Sequence, residues 1–184
     1  TLAVIGFGRT GIRTAEIAKS GFSMKVKAYD PYIDASVMAE RGMEKADDLD
    51  TLLAEADVVS LHLQLTPDTR EIITRKHLFA MKKGAILVNT ARGALVEPGA
   101  LVEALESGHL RGAAMDVFET EPLPLDHPFA TTDGLVMSPH IAGATEECLE
   151  RTAVQTATQV IDVLEGRRPE NMVNPEIWER RRFA

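Results

Sequence analysis

The stretch Thr1–Gly11, TLAVIGFGRTG, runs four apolar residues, Leu2 to Ile5, straight into a glycine turn. Gly6, Gly8 and Gly11 stand in the spacing G-x-G-x-x-G. Between a strand and a helix each glycine has its own physical role. The first makes a tight turn, the second leaves bare backbone against a pyrophosphate, and the third allows close contact of helix with strand. The helix that follows turns its amide ends and positive dipole toward phosphates. Alone the pattern is weak; its context makes it strong. Residues Gly11 to Ser20 read as a helix with Ile12, Ala15 and Ala18 on one face, and Gly21 is its expected stop. A second strand, MKVKAYD at 24–30, ends in Asp30, where a dinucleotide fold places an acid for the adenosine ribose hydroxyls. That charge would repel a 2′-phosphate, so NAD is favoured over NADP. A bland alternative for Asp30 is a turn-forming aspartate before Pro31.

Outward from this turn, apolar strands alternate with helical stretches. The segments DVVSLHL (57–63), GAILVNT (84–90), LRGAAMDVF (110–118) and GLVMS (134–138) read as strands. DDLDTLLAEA (47–56) reads as a short amphipathic helix, and EPGALVEALESG (97–108) as one bounded by Pro98 and Gly108. A long helix is expected from Thr145, its N-cap, to about Leu164, with Glu146 and Glu147 in its first turn. This alternation means parallel βαβ units: an α/β, Rossmann-type, doubly wound sheet in three αβα layers. Residues 1–170 are expected to form that domain. Residues 171–184 break the pattern and carry the only Trp and the run Arg180, Arg181 and Arg182.

Composition narrows the function. The 184 residues carry a net charge of −8, which argues against nucleic-acid binding. One cysteine, Cys148, rules out an internal disulfide framework and a cysteine-built zinc site, and its residue type suggests a small packing role in a helix. No apolar run approaches the ~18 residues of a membrane span. A cytoplasmic enzyme-like domain is the expectation, with no membrane partner and no metal.

Three further segments, VNTARGALVE (88–97), MDVFETEPLP (115–124) and MSPHIAG (137–143), each begin at or near the end of a strand. In a doubly wound sheet, ligands bind beyond the carboxyl ends of the strands. Arg92, Glu121 and His140 are therefore delivered to the same edge as the glycine turn. Each has a bland explanation alone: a surface arginine, a loop charge, a satisfied turn histidine. Together they place a guanidinium fork, a carboxylate and an imidazole beside a nicotinamide site, which is the equipment for hydride chemistry on a 2-oxo acid. A carboxylate beside an imidazole favours the imidazolium form.

At these residues the sequence resembles the nucleotide-binding domain of the D-isomer-specific 2-hydroxyacid dehydrogenases. The resemblance runs from LAVIGFGRTG through VNTARGALVE, AAMDVFETEPLP and SPHIAGAT to VNPE. It implies that Arg92 orients the substrate, that His140 exchanges the proton, and that Glu121 pairs with His140. It implies cofactor contacts at Gly6, Gly8, Arg9, Thr10, Gly11, Asp30, Leu63, Thr90, Ala91, Arg92, Asp116, His140, Ala142 and Gly143. Asp116 would meet the nicotinamide carboxamide, and Ala142 and Gly143 would close over the ring. Gln64 stands where the family more often has proline, with Pro67 in its usual place.

On the same resemblance, the stretch is expected to be a NAD-binding domain without its substrate-binding partner domain, to which residues 171–184 would return. Its partners would be a small 2-hydroxy or 2-oxo acid and a second copy of itself, with the loop Glu121–Pro128 contributing to a homodimer. Two rival readings stay open. Some relatives of the fold are NADH-sensing corepressors that keep the same arginine, glutamate and histidine. Formate dehydrogenase-like enzymes pair the histidine with glutamine, against which Glu121 argues.

Overall fold

The computed structural model describes residues 1–180; Arg181 and Arg182 of the basic run lie outside them. The chain divides into two compact units, Thr1–His140 and Ile141–Ala184. The boundary expected at residues 170 and 171 thus falls inside the second unit.

The first unit alternates strand and helix: β1 (Leu2–Ile5), α1 (Arg9–Phe22), β2 (Val26–Tyr29), α2 (Ala35–Glu40), β3 (Glu44–Lys45) and α3 (Leu49–Glu55). It continues with β4 (Val58–Leu61), α4 (Arg75–Ala80), β5 (Ile86–Asn89), α5 (Pro98–Glu106), β6 (Gly112–Met115) and β7 (Leu135–Met137). The strands form one parallel sheet in the order β3-β2-β1-β4-β5-β6-β7. The order reverses beside β1, which is the switch point of a doubly wound sheet.

Strand β1 shows why the layers form. All four of its residues are buried. Leu2 and Val4 join a cluster with Ala15 and Ala18 of α1 and Met38 of α2. Ala3 and Ile5 join another, with Leu52 and Leu53 of α3, Leu78 of α4 and Leu101 of α5. Side chains alternate across a strand, so a strand apolar at every position needs cover on both faces.

The register positions everything that follows. Ile5 lies level with Tyr29 on one side and Leu61 on the other. Leu61 pairs with Asn89, Asn89 with Met115, and Met115 with Met137. The residues one step beyond this line are Gly6, Asp30, His62, Thr90, Asp116 and Ser138. The sheet therefore delivers the glycine turn and the polar strand ends to one edge.

Local chemistry departs from the sequence expectations in several places. Helix α1 runs through Gly21 and stops at Ser23, which takes the left-handed conformation (φ 53°) and bonds Ala18 O. Strand β3 and helices α2 and α4 carry no clear periodicity in the sequence; they are two to six residues long and are held by tertiary contacts. In the second unit, α6 (Glu146–Leu164) begins as expected, with Thr145 Oγ1 accepting from Cys148 N at 3.2 Å and Glu146 and Glu147 in the first turn. Cys148 itself is exposed rather than packed. The Asn171 amide donates to Gln159 Oε1 at 2.9 Å, so the chain folds back on α6 within this unit.

Gly11 and Gly8 give opposite expectations. A Cβ at Gly11 would overlap the Gly6 carbonyl oxygen and stand 3.3 Å from Val4 Cγ1. Gly11→Ala should therefore cost about 1–3 kcal/mol in urea unfolding. A Cβ at Gly8 would meet nothing within 4 Å, so Gly8→Ala should unfold within about 1 kcal/mol of wild type. Equal losses at the two positions would contradict the packing role of Gly11.

Candidate active site

The glycine turn opens a cleft of about 550 Å³ walled by Gly8, Arg9 and Thr10 on one side and Leu63, Thr90, Ala91 and Arg92 on another. Gly8 is the N-cap of α1, and the open space over its Cα leaves bare backbone facing outward. Gly6 has φ 95°, and a Cβ there would stand 2.8 Å from the His62 carbonyl carbon. Only glycine lets β1 and β4 approach so closely at the switch point.

Asp30 has a local structural role as well as an expected ligand. Its Oδ2 accepts from Phe7 N at 2.8 Å and its Oδ1 from Tyr32 N at 3.0 Å. The turn reading is therefore correct as far as it goes, and the same carboxylate ties the end of β2 to the glycine turn. A carboxylate has roughly four acceptor positions, so these two bonds leave room for ribose hydroxyls. His62, read from the sequence only as part of a strand, also walls the cleft. Burial pushes its pKa down from the usual value, so the ring is neutral at pH 7, with Nε2 2.9 Å from Ser60 Oγ.

The Arg92 loop is built by a residue that the motifs do not single out. Asn89 is fully buried at the end of β5. Its Nδ2 donates to Arg92 O at 2.9 Å, and its Oδ1 accepts from Ala91 N at 3.0 Å. One side-chain amide thus closes the turn from Asn89 to Arg92. The guanidinium is exposed and donates to Ala91 O. Gly93 brings this loop onto the next: a Cβ there would overlap Phe118 C and Glu119 N.

His140 and Glu121 meet as the sequence predicts. The His140 Nδ1 to Glu121 Oε2 distance is 2.8 Å, and Glu121 Oε1 accepts from Phe118 N at 2.9 Å. The His140 bond, then the Phe118 amide, hold the Glu121 carboxyl below the usual carboxylate range. An ionised carboxylate only accepts, so the hydrogen of this bond belongs to Nδ1. Nε2 is the nitrogen left to exchange a proton. His140 has φ 56°, and its N–H donates to Ser138 O at 3.0 Å. Asp116 lies just inside, 4% exposed, and accepts from Ser138 Oγ at 2.5 Å. The pair borders an apolar recess of about 550 Å³ shaped by Phe118, Leu123, Met137 and Pro139.

Ala142 and Gly143 fall in the second unit, in a turn closed by Ala144 N donating to Ile141 O at 2.9 Å. Among the described residues, no three His, Cys, Asp or Glu side chains are grouped to hold a metal ion, and no helix is long and apolar enough to cross a membrane.

The comparisons with known proteins agree with this geometry. Residues 1–142 match the family model "D-isomer specific 2-hydroxyacid dehydrogenase, NAD binding domain". The chain belongs to this family. It is 46% identical over 174 residues to a D-3-phosphoglycerate dehydrogenase of Methanocaldococcus jannaschii, covering 95% of this chain and 33% of that protein. It is 44% identical over 177 residues to a glyoxylate reductase of Thermofilum pendens, covering 96% of this chain and 52% of that protein. A solved D-lactate dehydrogenase with NAD+ from Lactobacillus jensenii superposes with a TM-score of 0.83 at 32% identity, covering 94% of this chain and 55% of that one. The chain thus spans a third to about half of these relatives. Their names are those of dehydrogenases and reductases, which does not favour the corepressor reading. The fold is that of a NAD-binding domain, and the cleft fits the cofactor: bare backbone at Gly8, the N-terminus of α1, and the Asp30 carboxylate at the end of β2.

The Glu121 carboxyl supplies a pH test. Its folded pKa lies below the ordinary 4.5, so its pairing stabilises the fold above that value and is lost as pH falls through the folded pKa. Glu121→Gln should lower the urea midpoint near neutral pH, and the gap to wild type should shrink in acid below that range. A gap that stays constant into acid would contradict an ionised Glu121 in the pair.

Proposed function

We propose that this chain is the NAD-binding and proton-transferring half of a cytoplasmic D-2-hydroxyacid dehydrogenase acting on a 2-hydroxy acid or its 2-oxo counterpart. The observation that carries the reading is the Glu121–His140 pair standing on the same sheet edge as Arg92 and the glycine turn.

The cofactor, when bound, supplies or accepts the hydride. Gly6, Gly8, Arg9, Thr10 and Gly11 would hold its pyrophosphate, and Asp30 its adenosine ribose. Leu63, Thr90 and Ala91 would line the path to the nicotinamide, Asp116 would take its carboxamide, and Ala142 and Gly143 would cover the ring.

The chain's own chemistry follows from charge and geometry. Arg92 presents a planar fork to the substrate carboxylate and the adjoining oxygen, a geometry that a lysine cannot reproduce. His140 gives a proton from Nε2 to the substrate oxygen in reduction and takes it back in oxidation. Glu121 holds the ring through Nδ1, which keeps Nε2 turned to the substrate side. A carboxylate, rather than a glutamine amide, suits a reaction in which the histidine must be charged.

In the protein that carries this chain, His140→Ala should cost about 10²–10⁴ in turnover of a 2-oxo acid with NADH. Arg92→Lys should raise KM and lower kcat while NADH titration stays near wild type. A well-folded His140→Ala protein with near-normal turnover would overturn the reading.

The expected homodimer rests on the family resemblance and on the Pro-rich loop, where Leu125 is 98% exposed. Light scattering at micromolar concentration should give twice the chain mass, and a monomeric mass would remove this part of the proposal.

A further inference from the structure

Ser138 makes three hydrogen bonds at the end of β7. Its N–H donates to Met115 O at 3.1 Å, and its Oγ donates to Asp116 Oδ1 at 2.5 Å. Its carbonyl accepts from His140 N at 3.0 Å. The first bond continues the sheet. The other two lead in opposite directions, one to a buried carboxylate and one to the histidine of the site.

His140 needs such support. At φ 56° it occupies the left-handed region, which is unfavourable for a residue with a Cβ and persists only where its surroundings hold it. Between Ser138 and His140 lies Pro139, whose ring fixes its own φ. The direction of the imidazole therefore follows from how the Ser138 peptide is held. A strand-end bond to Met115 sets the separation of the chains but leaves the peptide free to tilt. The bond to Asp116 removes that freedom. It joins a hydroxyl to a carboxylate that is almost wholly buried, and such charge-assisted bonds are short and strong. Asp116 is anchored in turn, its N–H donating to Asn89 O at 3.0 Å. Asn89 is the residue whose side chain closes the Arg92 loop. A run of hydrogen bonds thus crosses the ends of β5, β6 and β7, from the guanidinium loop to the main chain of His140.

We propose that Ser138 is a positioning residue: its hydroxyl bond to Asp116 fixes the main chain that aims His140. The proposal rests on the reading of His140 as the group that exchanges the substrate proton. Glu121 holds the ring from its Nδ1 side; Ser138 holds the backbone from which the ring departs. Neither contact replaces the other, because Nδ1 reaches Glu121 only while the peptide beneath His140 directs the ring toward it, and a loose peptide lets the ring leave that bond and swing Nε2 away from the substrate oxygen.

The test uses Ser138→Ala, Ser138→Thr and Ser138→Cys in the protein that carries this chain. Threonine keeps the hydroxyl. Cysteine keeps the size and loses most of the donor strength. The first readout needs no substrate: nitrogen NMR of protein labelled with 15N-histidine, the His140 signals being those lost in His140→Asn. Wild type and Ser138→Thr should show one fixed ring protonated at Nδ1. Ser138→Ala should show a ring averaged between tautomers, and Ser138→Cys should lie between. The second readout is kinetic: kcat for a 2-oxo acid should fall about 10-fold or more in Ser138→Ala, with a smaller change in KM, and recover in Ser138→Thr. Should Ser138→Ala fail to fold, the Cys and Thr variants decide between an intermediate and a restored signal. Unchanged His140 signals in both Ala and Cys variants, or losses that threonine does not restore, would overturn the proposal. If His140→Ala itself keeps turnover, the proton-transfer reading fails, and the NMR arm still reports whether Ser138 holds the ring.

Discussion

Everything at the site depends on the level at which six parallel strands end. Ile5, Tyr29, Leu61, Asn89, Met115 and Met137 lie in one register line across the sheet. Parallel pairing fixes that line through backbone hydrogen bonds, and where burial alternates, as in β2, β5 and β6, a one-residue slip would turn the buried set of the strand over. Counting three residues beyond it gives Arg92 after β5, Phe118 after β6 and His140 after β7. The three groups are thus launched from the same height by equal lengths of chain. Phe118 serves by its amide, which receives Glu121 and brings that carboxylate back to the histidine.

The polar residues divide by burial into two kinds. Asn89 and Asp116 are buried, and each makes hydrogen bonds to a neighbouring strand end or loop. Buried polar groups that are satisfied in this way hold a single arrangement, because any other would leave a donor or acceptor unpaired in a low dielectric. Arg92 and His140 are exposed, as the roles proposed for them require. The buried pair provides rigidity, and it reaches the exposed pair through the Asn89 side chain bonded to Arg92 O and through Ser138, which stands between Asp116 and His140. Asp30 ties the glycine turn to β2 while keeping acceptor positions open.

Much of this is legible in the residues. The apolar runs alternating with helical stretches specify a doubly wound sheet, and the glycine spacing specifies its switch point. Arg92, Glu121 and His140 stand out because charged residues beside strand ends are chemically conspicuous. Asn89 and Ser138 do not, since an asparagine or a serine at a strand end looks like any loop residue until its partner on another strand is known. The stop of α1 is hidden for a related reason. Gly21 resembles a helix terminator, but Ser23 takes the left-handed position instead and bonds back to Ala18. Short elements such as β3 and α4 lack a periodic signal because tertiary contacts hold them. A packing role for Cys148 follows from residue type alone, and its exposure shows how weak that warrant is.

Gly93 shows how a residue without a side chain can set the geometry of a site. The loop after β5 passes so close to Phe118 and Glu119 that a Cβ at this position would overlap their backbone. The two loops carry Arg92 and Glu121, and Glu121 carries its partner His140. Any side chain at 93 would have to push the loops apart, and the displacement would fall between the guanidinium and the imidazole. If the two groups act on one small molecule, as proposed, misplacement of about 1 Å would cost on the order of 100-fold in rate. The missing Cβ at Gly93 thus fixes how near the two loops come, and with them the Arg92 guanidinium and the Glu121–His140 pair.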